Sequence, residues 1–184
     1  KQLVEKINIF GNTITKESTI RGELLIDEGD PVNNLNIEKS IAKLKSRNIF
    51  GEVKEKIKDG STKEQKIIDI TVVEKPTGEI SLGAGLGTNG GSVAFSISEN
   101  NYMGAGVKLS SSLELNKETV RGEVSVAKPN YNYSGNELNF NISSIRNDKA
   151  DSGYSNKIFQ TGIGTAFEQY KDIYISPRIS FSND

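Results

Sequence analysis

The sequence predicts an α+β domain followed by an antiparallel all-β region, and two observations carry this prediction. The first is a change in composition at Lys75-Pro76: residues 1–75 carry 14 basic and 13 acidic side chains, whereas residues 76–184 carry 9 and 11. The second is a change in hydrophobic period, from a mixture of two and 3.6 residues to a period of two throughout. Because Thr77-Gly78 continues the turn signal, we place the boundary between domains at 1–75 and 76–184.

The first domain has the predicted order β-α-α-β-β. A short helix is expected to open at Thr15 and to end at Gly29-Asp30-Pro31. Asn36 is the expected N-cap of a second helix, which Phe50-Gly51 ends. The strands are predicted at residues 4–10, 52–58 and 66–74. About 75 residues bury only a thin core between one sheet and two helices, so such a unit is marginal alone.

The second domain alternates apolar and polar residues about seven times. The alternating runs lie at residues 79–87, 93–97, 107–115, 120–126, 138–142, 159–167 and 173–181. A polar loop is predicted from Arg146 to Gly153. With their flanking residues the strands are about 9 to 12 residues long, the length that a tilted strand needs to cross a bilayer. A soluble β-sandwich also alternates, so at this point a membrane barrel and a soluble β domain both stay open.

Composition excludes several chemistries. The chain contains no Cys, His or Trp, which removes disulfides, thiolate or imidazole zinc sites and an imidazole general base. A net charge of -1 gives no basic footprint for nucleic acid. The run from Gly85 to Gly90 fits G-x-G-x-x-G, but a strand pattern follows it where a nucleotide site needs a helix. We therefore expect no catalytic residue, no cofactor and no metal, with carboxylate-based hydrolysis as the remaining enzymatic alternative.

The first strand of the second domain is rich in glycine on one face. Ile80, Leu82, Ala84 and Leu86 alternate with Ser81, Gly83, Gly85 and Gly87. The glycines can serve close packing or curvature of the sheet. They can also weaken the strand, so that it pairs loosely and opens as a lateral gate. Pattern alone leaves both interpretations open.

Several short segments, taken in their order, resemble the superfamily of outer-membrane barrels that carry polypeptide-transport-associated (POTRA) domains. The segments are Ile9-Phe10-Gly11-Asn12, Glu28-Gly29-Asp30, Ile49-Phe50 with Val53, Val73 to Gly78, Ile80 to Gly85, Glu99 to Gly106, and Pro129-Asn130-Tyr131. In this resemblance the signature positions of the POTRA domain are Gly11, Asn12, Gly29, Asp30, Phe50 and Val53. The succession covers nearly the whole chain.

The resemblance implies the last POTRA domain before a barrel, followed by about seven transmembrane strands of a larger, sixteen-stranded barrel. It implies a periplasmic first domain and a barrel in the outer membrane of a Gram-negative bacterium. The implied function is the assembly and insertion of β-barrel proteins, by strand addition to the POTRA edge and to the gate strand Ile80–Gly87. The implied partners are unfolded outer-membrane proteins, periplasmic chaperones, assembly lipoproteins and outer-membrane lipid. The alternatives are a polypeptide-secreting transporter or autotransporter-assembly factor of the same superfamily, and a soluble β-rich binding module.

Overall fold

A computed structural model describes residues 2–87, 90–133, 135–149, 152–170 and 173–183. The chain divides into two compact units, one formed by Lys1–Thr77 with Met103–Gly106 and the other by Gly78–Tyr102 with Val107–Asp184. The sequence interpretation had assigned residues 103–106 to the second domain. They fall in the first unit because the backbone N–H of Lys16 and the hydroxyl of Thr19 both donate to the Gly104 carbonyl, at 2.9 and 3.0 Å.

The first unit has the predicted order β-α-α-β-β. Its elements are β1 (Leu3–Phe10), α1 (Glu17–Arg21), α2 (Asn34–Ser46), β2 (Phe50–Asp59) and β3 (Gln65–Glu74). The sheet has the order β1-β3-β2, in which β1 runs parallel to β3 and β2 runs antiparallel to it. The first and last strands in the sequence are therefore neighbours, and the helices form the crossover between them.

The core of the first unit lies between the helices and one face of this sheet. Alternate residues of β3 and residues three or four apart in α2 point into it, as strand and helix periods require. The buried hydrophobic residues are Val4, Ile7, Ile20, Ile26, Ile37, Ile41, Leu44, Ile49, Phe50, Val53, Ile68, Ile70 and Val72. Burying a side chain of this size stabilises the fold by roughly 1.5–3 kcal/mol relative to leaving it in water.

Four boundary predictions for the helices are wrong, the first being the start of α1, which begins at Glu17 after the N-cap Lys16 and not at Thr15. The N-cap of α2 is Asn33, whose side chain accepts from the N–H groups of Leu35 and Asn36, so Asn36 lies inside the helix. Helix α1 ends at Arg21, well before Gly29. Helix α2 ends at Ser46, and Phe50 already begins β2, because a left-handed turn at Asn48 (φ 58°) redirects the chain.

The second unit is an antiparallel sheet built from successive hairpins. Its strands are β4 (Gly78–Gly87), β5 (Gly90–Tyr102), β6 (Val107–Asn116), β7 (Thr119–Lys128), β8 (Glu137–Lys149), β9 (Tyr154–Tyr170), β10 (Ile173–Ile175) and β11 (Arg178–Asn183). The described order runs from β4 to β10, with β11 also paired to β9. From Tyr174 onward β10 and β11 keep one register against β9 across Pro177, so together they form the seventh strand predicted from the sequence.

The pairing register sorts the side chains of the second unit onto two faces. One row on the polar face joins Ser81, Ser96, Ser112, Glu123, Ser143 and Gln160 across six strands. The opposite, apolar face carries exposed side chains such as Leu82, Phe95, Phe140 and Ile163. Among the described residues of this unit no hydrophobic side chain is buried. The unit thus turns its apolar face outward.

One prediction for the second unit needs correction, and another, that a strand follows the G-x-G-x-x-G run, is confirmed. The expected loop from Arg146 to Gly153 is wrong at its start, because Arg146 to Lys149 continue β8 and pair with β9. The G-x-G-x-x-G run includes residues 88 and 89, which lie outside the described residues, and Gly90 begins β5. In the described part of the chain, no helix combines the length and hydropathy needed to cross a membrane.

Candidate functional site

Strand β4 lies at the edge of the eight-stranded sheet. It pairs with β5 from Gly78 to Gly87, and its other edge has no strand partner among the described residues. All ten of its residues are exposed. Its outward-pointing N–H and C=O groups therefore form an open row that another strand can pair with.

The two faces of β4 differ as the sequence predicted. Ile80, Leu82 and Leu86 project from the apolar face, and Leu86 is 95% exposed. Ser81, Gly83, Gly85 and Gly87 occupy the polar face, where Ser81 faces Ser96 and Gly85 faces Ser92. A strand added next to β4 can keep one face of the sheet apolar and the other polar, because its side chains also point alternately to the two faces.

Close packing does not account for the glycines of β4. A Cβ built on Gly83 would lie 4.0 Å from the nearest Ala94 atoms, and one on Gly87 would lie 4.0 Å from the Gly90 carbonyl oxygen. Among the glycines of the polar face only Gly85 is tight, with the Ser92 hydroxyl at 3.2 Å, whereas Gly78 at the start of β4 meets the Glu99 carboxylate at 3.3 Å. Backbone conformation does not require glycine either, since none of the three has a positive φ. What glycine does provide here is a weaker strand, since it has no side chain to pack and loses more conformational entropy on pairing.

The glycines and polar residues of the POTRA signature are structural. Gly11 has φ 87°, and a Cβ on it would overlap the Val72 carbonyl oxygen. Asn12 donates from Nδ2 to the Thr15 carbonyl at 3.0 Å and so shapes the loop after β1. Phe50 and Val53 anchor β2 in the core. These positions hold the fold, and none of them forms a reactive cluster.

Gly29 and Asp30 cover the outer edge of β1. The N–H of Gly29 donates to the Val4 carbonyl at 2.7 Å, and the Asp30 carbonyl accepts from the Val4 N–H at 2.8 Å. Further along the strand, the Glu28 carboxylate accepts from the Ile7 N–H and Arg21 donates to the Ile7 carbonyl. The outer edge of β1 is thereby occupied by the chain itself.

The outer edge of β2 is different. Strand β2 pairs with β3 alone, and from Glu52 to Lys58 the described residues give its outer edge no hydrogen bond from another segment. Lys54, Lys56 and Lys58 project from this strand, in keeping with the charged side chains that protect open edges from aggregation. The first unit therefore has one covered edge, at β1, and one open edge, at β2.

Glu74 was not singled out by the sequence analysis, yet it makes the densest hydrogen-bond cluster of the first unit. Its carboxylate accepts from the Thr13 N–H and hydroxyl and from the N–H groups of Ile14 and Thr15, over 2.5–3.1 Å. Partial burial raises the pKa of Glu74, but the hydrogen bonds from Thr13, Thr15 and Ile14 outweigh it and lower the pKa to about 2. The carboxylate ties the loop after β1 to the end of β3.

Known proteins resemble both units of this chain. Residues 2–75 match the POTRA family, described as a surface antigen variable number repeat. The first unit therefore has the POTRA fold, and the chain as a whole has the fold of a POTRA domain followed by antiparallel strands of a β-barrel.

The relatives that it resembles are outer membrane protein assembly factors named BamA. The chain is 36% identical to BamA of Neorickettsia risticii over 112 residues, which are 59% of this chain and 15% of that protein. It is 24% identical to BamA of Neisseria meningitidis serogroup B over 163 residues, 88% of this chain and 20% of that protein. The chain thus spans about a fifth or less of the length of these relatives.

Solved structures agree on the fold. A crystal structure of BamA from Haemophilus ducreyi lacking POTRA domains 1–3 matches 98% of this chain and 35% of its own, with a TM-score of 0.85 at 22% identity. CdiB from Acinetobacter baumannii matches the whole chain and 39% of its own, with a TM-score of 0.62 at 16% identity. At these identities the likeness shows a common architecture, which is closer in its geometry to BamA than to CdiB.

Proposed function

We propose that this protein assembles β-barrel proteins into the outer membrane of a Gram-negative bacterium, with its POTRA domain in the periplasm and β4 as the strand on which substrates pair. The observation that carries the proposal is that β4 combines an exposed apolar face with glycines at Gly83 and Gly87 that neither packing nor backbone conformation requires, so that its pairing with a neighbouring strand is weak. The printed name of the curated relatives, outer membrane protein assembly factor, supports it.

The chemistry needed is hydrogen bonding and burial, not bond cleavage. An incoming strand that pairs with β4 satisfies its backbone groups before it enters lipid, where each unsatisfied group costs several kcal/mol. Backbone pairing is tolerant of sequence, which suits a factor that handles many substrates. The role is therefore non-enzymatic and needs neither a nucleotide nor a metal.

The POTRA domain offers a second pairing edge, and the contacts at its two edges favour β2 over β1. Gly29, Asp30, Glu28 and Arg21 already hydrogen-bond to the outer edge of β1. An unfolded chain could pair with β1 only if these four residues first gave up their hydrogen bonds to it, so the number of hydrogen bonds would not rise. At β2 it would add bonds without losing any, so we place the periplasmic docking of unfolded outer-membrane proteins there.

The remaining partners follow from this placement. Periplasmic chaperones would deliver the unfolded chains, assembly lipoproteins would bind the POTRA domain, and outer-membrane lipid would contact the apolar face of β4 to β11. The open edge at β2 and the apolar face of the second unit support these roles by their chemistry.

The decisive test is a lock on β4 in the full-length protein. A disulfide between Ser81→Cys and a cysteine placed in the strand that closes the barrel should stop substrate assembly in reconstituted vesicles, and a reductant should restore it. Residues 1–184 contain no native cysteine that would interfere.

The matched control is a disulfide between Ser110→Cys and Ser125→Cys. These residues are cross-strand partners in β6 and β7 with their hydroxyl oxygens 2.6 Å apart, so this bond leaves β4 untouched. Full assembly by the locked β4 variant would refute the gate.

The same experiment separates the proposal from its main alternative, to which the fold likeness to CdiB is relevant. A transporter that secretes a polypeptide through its pore would keep its activity when β4 is locked, since the pore stays open. A soluble β-rich binding module would instead stay in solution without detergent. Insertion of the full-length protein into lipid vesicles would exclude that function.

A further inference from the structure

Two cations face each other on the apolar face of the second unit. Arg146 in β8 and Lys157 in β9 are direct cross-strand partners in the antiparallel register. Alternation places Arg146 on the same face as Phe140 and Ile142, and Lys157 on the same face as Phe159 and Ile163. Both cations therefore project from the face that carries the exposed apolar side chains.

Among the described residues, little negative charge lies close to this pair. Like charges directly opposite one another destabilise a strand pair. Arg146 has a loose contact with the Asp148 carboxylate, at 3.5 Å with both side chains more than half exposed. Lys157 forms no ion pair with the described residues. Val120 and Ser144 are the other near neighbours of Arg146 on this face, and Glu118, whose carbonyl accepts from the Asp148 N–H, lies beyond Val120. The row that holds the two cations, which runs through Val120, Arg146 and Lys157, therefore contains no carboxylate.

The position of the pair along the strands is as informative as its charge. We call the end of the sheet where β4 begins the proximal end and the end where β4 finishes the distal end. On the apolar face of β8, Leu138 pairs with Lys128 at the proximal end, and Arg146 lies eight residues further toward the distal end. Eight residues rise about 27 Å along a strand, or about 20 Å perpendicular to a membrane for a strand tilted by about 40°. Between Leu138, which faces Lys128, and Arg146, the apolar face of β8 carries only Phe140, Ile142 and Ser144.

A band of this height matches the apolar girdle of an outer-membrane barrel, which is about 25 Å tall. Arg146 and Lys157 then lie where hydrocarbon gives way to headgroups. Phosphate is the anion of that layer, and paired cations bind it more strongly than either does alone.

We propose that Arg146 and Lys157 bind the phosphate of a lipid headgroup in the leaflet at the distal end of the barrel. This inference rests on the proposed membrane location of the second unit. The bound phosphate supplies a counter-charge to the two facing cations, and it fixes the height at which the β8–β9 hairpin sits in the bilayer.

The test uses the full-length protein in mixed micelles, titrated with phosphatidic acid and observed by native mass spectrometry. Diacylglycerol, which has the same chains without the phosphate, is the reference lipid. Wild type should bind phosphatidic acid more tightly than diacylglycerol. Arg146→Gln and Lys157→Gln should each weaken binding about fivefold, and the double variant about 25-fold.

The matched control is Lys108→Gln with Arg178→Gln. It also removes one Lys and one Arg, but these residues belong to the row on the polar face that runs through Ala127, Asn139 and Gly164. It should keep binding within twofold of wild type. Equal losses in both double variants, or none in R146Q/K157Q, would overturn the proposal.

A competition with inorganic phosphate and a set of further variants complete the test. Inorganic phosphate should not displace the lipid at equal concentration, and displacement would assign the pair to a free anion instead. If R146Q/K157Q does not fold, the two single variants decide, together with R146K/K157R, which keeps both charges and should keep binding. Failure of wild type to enter phosphatidylcholine vesicles would refute the membrane location itself, which is a separate result from insertion without phosphate preference.

Discussion

The two units of this protein treat their apolar side chains in opposite ways. In the POTRA domain thirteen hydrophobic residues are buried between helices and sheet. In the second unit none of the large hydrophobics among the described residues is buried, and most are exposed, among them Leu82, Phe95 and Ile163. The first unit is thus stabilised by excluding water from its own core, whereas the described residues of the second unit provide no layer that covers its apolar face. The same period-two pattern therefore buries apolar side chains in the first unit and exposes them in the second.

The largest effect should come from Gly11→Ala in the POTRA domain. The new methyl group overlaps the Val72 carbonyl oxygen and the backbone has φ 87°, so we expect a loss of about 4 kcal/mol in the free energy of unfolding. Urea titration followed by circular dichroism measures it. Gly29→Ala is the matched control, because its φ is 96° but nothing lies within 4 Å of the added Cβ, and it should cost only about 1 kcal/mol.

Truncating a leucine should have opposite consequences in the two units. Leu44→Ala empties part of a core position that is 1% exposed and should cost about 3 kcal/mol. Leu82→Ala removes a side chain that is 77% exposed and should change the stability of the detergent-solubilised protein by less than about 1 kcal/mol. Thermal unfolding in detergent compares the two. Similar losses would mean that the second unit has a core of its own.

Glu74 links the POTRA sheet to the loop after β1, and Glu74→Gln should cost about 1–2 kcal/mol, since it weakens charge-assisted hydrogen bonds at a partly solvated site. Because the folded pKa of about 2 lies below the value of 4.5 for the free side chain, this contribution is present above about pH 4.5. It is lost as the pH falls from there toward 2. Urea unfolding between pH 7 and pH 2.5 should show a steeper decline for wild type than for E74Q, and parallel curves would contradict the assignment.

The smallest change in stability should come from Gly83→Val in β4. The space next to Gly83 accommodates a side chain, so the variant should pair more firmly with its neighbours by about 0.5–1 kcal/mol. If looseness of β4 serves assembly, G83V should fold normally and slow substrate assembly severalfold. Gly122→Val is a suitable control, because β7 lies inside the sheet and Gly122 also has open space around it.

Periodicity predicted most of the fold because it is a local property. The β-α-α-β-β order and the seven strands of the second unit follow from it. Periodicity does not indicate a strand where the residues on both of its faces are polar. Arg146 to Lys149 read as a loop since both faces there are polar, yet backbone pairing with β9 continues. Several asparagines lie around the start of α2, and the hydrophobic spacing favoured Asn36 as the N-cap. In the structure it is the Asn33 side chain that accepts from the helix N–H groups.

The candidate site was predictable in part for a similar reason. The alternation of β4 and its glycines are visible in the sequence, but its place at the sheet edge is a matter of topology. The role of Glu74 depends on a loop about sixty residues earlier in the chain. The covered edge of β1 likewise depends on Glu28 and Arg21, whose partners no local pattern indicates.

The central claim is that substrates pair with β4, and site-specific photo-crosslinking during assembly tests it most directly. A photoreactive residue at Ser81 in the full-length protein should capture the substrate, with a maximum midway through assembly and a decline on completion. The same residue at Ser125, in the interior strand β7, should capture none. Equal capture at both positions, or none at Ser81 while assembly proceeds, would contradict the account.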